Sequence, residues 1–249
     1  MPTMRKPALA LIGVAFAATA CSSGGSGHSD HPTGSAQRGA AAAGSVSSRH
    51  FSAKVNNPWF PLPPGRTLVY QGVKDGQKTK EYLTVSDETQ KIDGAPCRVV
   101  LDRLFSHGDL VETTRDYYTQ DSQGNVWYFG EDTAELDHHG NMVSTDGTWH
   151  AGRSGAEPGV FMTSHPKMGD GGRQEYFKGQ AEDHYKVIGV DTKVQVPYKS
   201  FDHALETNEW TPLEPGVIDA KYYVKGLGTV KEVTVKGGNE KNVLLAVHG

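Results

Sequence analysis

The sequence predicts an all-β, antiparallel domain, a curved sheet of about ten strands forming a barrel or half-barrel. Three observations predict it. From residue 66 to 247, runs rich in Val, Thr, Tyr, Phe and Trp alternate with Gly, Asp, Asn and Pro punctuation. No window of helical length carries an apolar stripe at i, i+3, i+4, i+7. Similar phrases also recur along the chain, as expected of two meanders of about five strands each. A strongly twisted sheet of that width closes or curls, which also removes edges open to aggregation.

Ahead of this domain lie two segments of different character. Arg5 and Lys6 precede an apolar stretch over residues 7–20, and Ala18-Thr19-Ala20 lead into Cys21. That is the layout of a secretory signal peptide over 1–20, and the stretch is too short to cross a bilayer as a helix. The cysteine at the cut site resembles the bacterial lipoprotein signal, with Ala18 where Leu is usual. The resemblance implies a diacylglycerol on the Cys21 thiol and cleavage before Cys21, so that the membrane is a partner through a lipid anchor. Residues 22–49 are almost all Ser, Gly and Ala, with one branched aliphatic, Val46. Such a stretch cannot bury enough surface to order itself. Residues 21–49 therefore read as a lipidated Cys and a tether spanning about 30 Å, with His28 and His31 as solvated spacers.

Residues 50–249 suffice for one well-cored domain. The formal charge of −4 becomes −6 once Arg5 and Lys6 leave with the signal. A mildly acidic body with scattered lysines excludes the basic stripe of a nucleic-acid binder, and no basic amphipathic helix is present for membrane contact. With Cys21 acylated, Cys97 has no partner, so no intrachain disulfide is expected. Cys97, in Cys97-Arg98-Val99-Val100-Leu101, reads as a small buried hydrophobe rather than a reactive thiol.

Within the domain, the clearest turns are Lys74-Asp75-Gly76, Asp93-Gly94, His107-Gly108-Asp109 and Asp121-Ser122-Gln123-Gly124. Asp-Gly pairs suit the positive φ of tight hairpins. The repeats span 65–130 and 172–235. Gly65-Arg66…Gly72 lies on Gly172-Arg173…Gly179 without a gap, and Asp116-Tyr117-Tyr118 echoes Lys221-Tyr222-Tyr223. The connector 133–171, with Gly152, Gly155, Pro158, Gly159 and Pro166, is expected to cover one end or the open face of the barrel.

Three sets of residues could carry function. Val126-Trp127-Tyr128-Phe129 is apolar on both faces, and paired aromatics recur at 117–118, 176–177 and 222–223. Tyr118, Trp127, Phe129, Tyr176 and Tyr222 are thus candidates to line a pocket for an apolar or amphipathic ligand. Asp116, Glu131, Asp132, Glu175, Glu182, Asp183 and Glu209 lie near these aromatics and could supply the acid pair of an envelope hydrolase. Most acids, however, are expected to point outward. Asp137-His138-His139, before a Gly140-Asn141 turn, is the candidate metal site, with His150 and His165 in the same connector. There is no Gly-x-Ser-x-Gly elbow and no phosphate loop opening a helix, so no cofactor is implied.

Four phrases together resemble a family of bacterial, largely actinobacterial, secreted lipoproteins without an established activity. They are Asn57-Pro58-Trp59-Phe60-Pro61-Leu62, Gly124-Asn125-Val126-Trp127-Tyr128-Phe129-Gly130, Glu209-Trp210-Thr211-Pro212-Leu213-Glu214-Pro215 and Gly226-Leu227-Gly228-Thr229-Val230-Lys231. The strand-rich layout is similar to half-barrel lipoprotein carriers, a likeness of architecture alone. The expectation is a lipid-anchored extracytoplasmic module that binds an apolar ligand or an envelope protein. A hydrolase and a metal-binding lipoprotein are the alternatives.

Overall fold

The computed structural model describes residues 50–249. The signal, Cys21 and the tether lie outside the described residues.

Every regular element among the described residues is a strand. β1 (Phe51–Ser52) starts the domain. A run of long hairpins follows: β2 (Thr67–Lys74), β3 (Gln77–Ile92), β4 (Ala95–Ser106), β5 (Asp109–Asp121) and β6 (Val126–Leu136). The connector forms β7 (Met142–Ser144), β8 (Trp149–His150) and β9 (Glu157–Met162). β10 (Gly171–Arg173) and β11 (Glu175–Tyr176) come next, then β12 (His184–Gln195), β13 (Ser200–Trp210), β14 (Ile218–Val224), β15 (Gly228–Lys236) and β16 (Lys241–His248).

Turn chemistry explains the first hairpins. β2, β3, β4 and β5 are joined by two-residue turns, closed by the pairs Lys74↔Gln77, Ile92↔Ala95 and Ser106↔Asp109. Both turn residues have positive φ in each case: Asp75 and Gly76 (52° and 74°), Asp93 and Gly94 (44° and 81°), His107 and Gly108 (54° and 96°). This is the mirror-image turn whose twist matches that of the strands it joins.

The sheet runs β10-β12-β13-β14-β15-β16-β2-β3-β4-β5-β6-β9-β11, antiparallel throughout. Its two terminal strands, β10 and β11, are separated in sequence by Gln174 alone. One short stretch therefore pairs with β12 on one side and with β9 on the other, and the sheet closes on itself. Gly159 of β9 makes the seam fit. A Cβ there would lie 2.3 Å from the Gln174 carbonyl carbon and 2.5 Å from the Arg173 carbonyl oxygen, so only a residue without one admits the facing backbone.

Counting β10 and β11 as one, the wall has twelve strands rather than about ten. The difference comes from β16, which joins the C-terminal run to β2, and from the connector. The connector does not simply cover the barrel. β9 enters the wall, and β7 and β8 pair onto β6. The stretch between β1 and β2 closes one end. Asn57 accepts from the Trp59 amide at 2.8 Å and donates to the Gly124 and Thr163 carbonyls at 2.8 and 3.2 Å. That clamp drives Phe60 among Tyr118 of β5, Phe161 of β9 and Gly228 of β15, so its ring lies across the opening. Arg66 ties the same plug to the wall, donating to the carbonyls of Gly226, Leu227 and Pro61.

Candidate functional site

Side chains alternate along each strand, and the inward set is aromatic and acidic. Tyr70, Glu81, Tyr118, Tyr128, Glu131, Glu175 and Tyr223 are all under 2 % exposed. Glu112, Asp116 and Tyr118 on β5 face Glu131 and Tyr128 on β6. The expectation that the acids point outward is thus reversed for most of them. Of the seven acids near the aromatics, Asp116, Glu131, Glu175 and Glu209 are buried, Asp183 is half-buried with one carboxylate oxygen fully shielded, and Asp132 and Glu182 are partly exposed.

Hydrogen bonds and protons make this interior tolerable. Tyr128 donates to Asp116 at 2.7 Å, Trp149 to Glu175 at 2.9 Å, and Thr133 to Glu131 at 3.2 Å. Glu81 accepts from the Asn242 side-chain amide, while Asp102 beside it keeps one oxygen without a donor. Burial is the main force lifting the carboxyl pKa values, and neighbouring acids add to it. Asp116 is pushed up to about 8, while Glu81, Asp102, Glu131 and Glu175 are all raised. Lys221, 3 % exposed, places its ammonium 2.9 Å from Glu209 and 3.6 Å from Glu232. Glu209 also accepts from Thr207 and Tyr223, whereas neither Glu232 oxygen has a hydrogen-bond donor. Burial raises the Glu232 pKa despite the lysine, and Glu209 is the nearer and better hydrogen-bonded partner of Lys221.

The candidate ligand residues fall in different places. Tyr118 is fully buried and stacks on Tyr128 at 4.8 Å. Trp127 donates to Asp121, and with Phe129 it packs edge-on against Phe51. Tyr176 lies beneath the Arg173 guanidinium, and Tyr222 donates to Glu206. They line no common cavity. Two small cavities border the interior, one beside Phe60 and Tyr70, the other beside Asp183 and Lys221. Each holds about 10 Å³, roughly one water.

At the candidate metal triad, the Asp137 carboxylate accepts from the His139 and Asn141 amides, each at 2.9 Å, and so caps its own turn. The His138 and His139 rings lie 3.7 Å apart on an exposed tip. Among the described residues, no group of three or more His, Cys, Asp or Glu side chains could hold a metal ion. Cys97 is fully buried and free, its thiol pushed up to about 12, mainly by burial.

A sizeable concavity lies on the outside. A groove of about 530 Å³ lies over β3 and β4, lined by Lys78, Thr79, Lys80, Tyr82, Arg103, Phe105, His107 and Gly108. Lys78, Lys80 and Tyr82 alternate on β3, and Arg103 and Phe105 on β4. The pairs Lys80↔Phe105 and Tyr82↔Arg103 bring them onto one face. Phe105 meets Tyr82 edge-on at 5.6 Å, and Lys80 and Arg103 sit 5.2 and 6.0 Å from the Tyr82 ring centre. No carboxylate lines the groove. The nearby acids face inward, as Glu81 and Asp102 do, or stand at turn tips, as Asp75 and Asp109 do. None of the groove residues is among the candidates read from the sequence. The site's signal was the period-two spacing Lys-x-Lys-x-Tyr opposite Arg-x-Phe.

No protein-family model matches the chain, and no curated protein matches it. Two solved structures are similar to it. A Bacteroides fragilis protein described as exported and of YmcC-like fold is 14 % identical, with a TM-score of 0.46, over 78 % of this chain and 100 % of that one. A Parabacteroides distasonis protein described as a lipoprotein is 11 % identical, with a TM-score of 0.41, over 76 % of this chain and 97 % of that one. Similarity at this level transfers no activity.

Proposed function

We propose that the protein is a lipid-anchored, non-catalytic binding module outside the cytoplasmic membrane, and that it engages its ligand or envelope partner on the outer surface of the barrel. One observation carries the reading. The interior is packed with side chains and retains cavities of about 10 Å³, whereas the groove on the outer wall measures about 530 Å³. A carrier of an apolar ligand needs a few hundred Å³ of enclosed, mostly apolar space. The acids that a hydrolase would employ, Glu131 and Glu175, are 0 % and 1 % exposed, out of reach of a glycan. The anchor itself rests on Ala18-Thr19-Ala20-Cys21.

Native mass spectrometry and solvent extraction of the protein purified from its host test the reading. The expected result is a single apo species. A lipid retained inside the barrel would overturn it. For the anchor, Cys21→Ser is expected to release the protein from sedimented membranes once unprocessed precursor is excluded. Continued sedimentation of the processed form would refute lipidation.

A further inference from the structure

We propose that the groove over β3 and β4 binds a sugar phosphate unit of an anionic glycan, its pyranose against Phe105 and Tyr82 and its phosphate on Lys78, Lys80 and Arg103. The inference rests on the outer-surface reading above and names the ligand class.

Charge argues for the anion. The chain is net negative, yet this concavity presents two ammonium groups and a guanidinium. Lys78, Lys80 and Arg103 are exposed and form no salt bridge among the described residues. Arg103 and Lys80 lean on the Tyr82 ring instead, which positions them over an apolar face without neutralising them. A guanidinium fork beside ammonium groups is the donor set suited to phosphate.

Shape and place argue for a sugar. The volume, about 530 Å³, suits one or two pyranose rings rather than an extended surface. Half-buried Tyr82 and Phe105 offer the rings on which a sugar face can lie. A bilayer is a poorer occupant, because the large exposed apolar side chains, such as Met142, Met168 and Val235, lie away from the groove. Its position agrees. Phe51, where the tether joins, pairs with Asp121 at one end of β5. The groove reaches the Ser106-to-Asp109 turn at the other end, about 30–40 Å along the strand at ~3.3 Å per residue. The groove thus lies at the end of the strands opposite the point where the tether joins.

Amide NMR titration of the protein with glucose 1-phosphate tests this, against glucose, inorganic phosphate, tri-glutamate and phosphatidylglycerol vesicles as separate arms. Glucose 1-phosphate should shift the amides of residues 78–82 and 103–108. Glucose and phosphate alone should each bind about tenfold more weakly or less, since each makes half of the contacts. The exposed double variant Lys80→Gln/Arg103→Gln should weaken binding about tenfold or more with unchanged Tm, and Phe105→Ala should remove the preference over phosphate. Equal binding of phosphate, equal binding of tri-glutamate, vesicle sedimentation of the Cys21→Ser protein that Lys80→Gln/Arg103→Gln abolishes, or no shift in the groove would each overturn the proposal. A silent groove in a lipid-free protein sinks the ligand class alone. A lipid found inside the barrel sinks the outer-surface reading itself.

Discussion

Lys221→Met tests the interior most directly. The ammonium is fully buried, 2.9 Å from Glu209 and 3.6 Å from Glu232. Burial opposes its charge, but the attraction of Glu209 and Glu232 wins and holds its pKa well above that of a free lysine. The stability it contributes is thus complete at neutral pH and lost only as pH climbs through that raised value. Methionine fills the stem's volume but leaves Glu209 buried with Thr207 and Tyr223 as its remaining donors. Breaking a buried pair by removing one partner costs about 3–5 kcal/mol, a large part of the roughly 5–15 kcal/mol that holds a domain together. Urea unfolding at about pH 7 measures it. The double variant Lys221→Met/Glu209→Gln should recover most of the loss, because the orphaned charge goes too. A loss below about 1 kcal/mol for the single variant, or no recovery in the double, would refute the assignment of Glu209 as the ionic partner.

Three further outcomes are expected. The interior carboxyls bind protons more tightly folded than unfolded, Asp116 up to about 8 and Asp183 up to about 7, with Glu81, Asp102, Glu131 and Glu175 raised as well. The native state then holds extra protons above the ordinary carboxylate range, so stability falls as pH rises from about 4 to 8. Asp121 runs the other way, since hydrogen bonds led by Trp127 outweigh its burial, but its contribution is lost only below that window. A urea midpoint higher at about pH 8 than at about pH 5 would contradict this. Cys97 should resist Ellman's reagent until the protein unfolds, given its burial and a thiol held up to about 12; rapid native labelling would refute it. Gly159→Ala should cost about 1–3 kcal/mol or more by parting the barrel seam. Gly172→Ala, whose Cβ would meet nothing nearer than 3.8 Å, serves as the control, and equal losses would show that the seam is not what Gly159 protects.

The hairpins were legible because their turns are local chemistry. Asp75-Gly76 and Asp93-Gly94 announce positive φ, and His107-Gly108 does so almost as clearly. Asp116-Tyr117-Tyr118 lies on β5 and Lys221-Tyr222-Tyr223 on β14, with Tyr118 and Tyr223 both fully buried and Asp116 and Lys221 both inside. Closure was not legible, because it depends on a two-sided pairing of residues 171–176 whose Gly-rich sequence carries little strand signal. The burial of the acids was hidden for a related reason. In Glu112-Thr113-Thr114-Arg115-Asp116 both faces are polar, so alternation alone cannot say which faces in. Only the aromatic continuation to Tyr118 fixes the register.

That inverted arrangement bears on the groove. Strand alternation places Glu81 between Lys80 and Tyr82, and Asp102 beside Arg103, so carboxyls back the cations through the thickness of the sheet. Were both ionised, they would weaken the attraction of Lys80 and Arg103 for an anion, since charges separated by protein rather than water are poorly screened. Burial raises the pKa of both, and Glu81 raises that of Asp102 further, so each resists ionising more than a free carboxyl does. The formal charge of −4 counts every such carboxyl as ionised, and thus overstates how negative the folded surface is. A wall whose inner acids resist ionisation and whose lysines face outward can be acidic in composition and still present an anion-binding face. The interior chemistry then serves the outer surface electrostatically, without having to open to solvent or ligand.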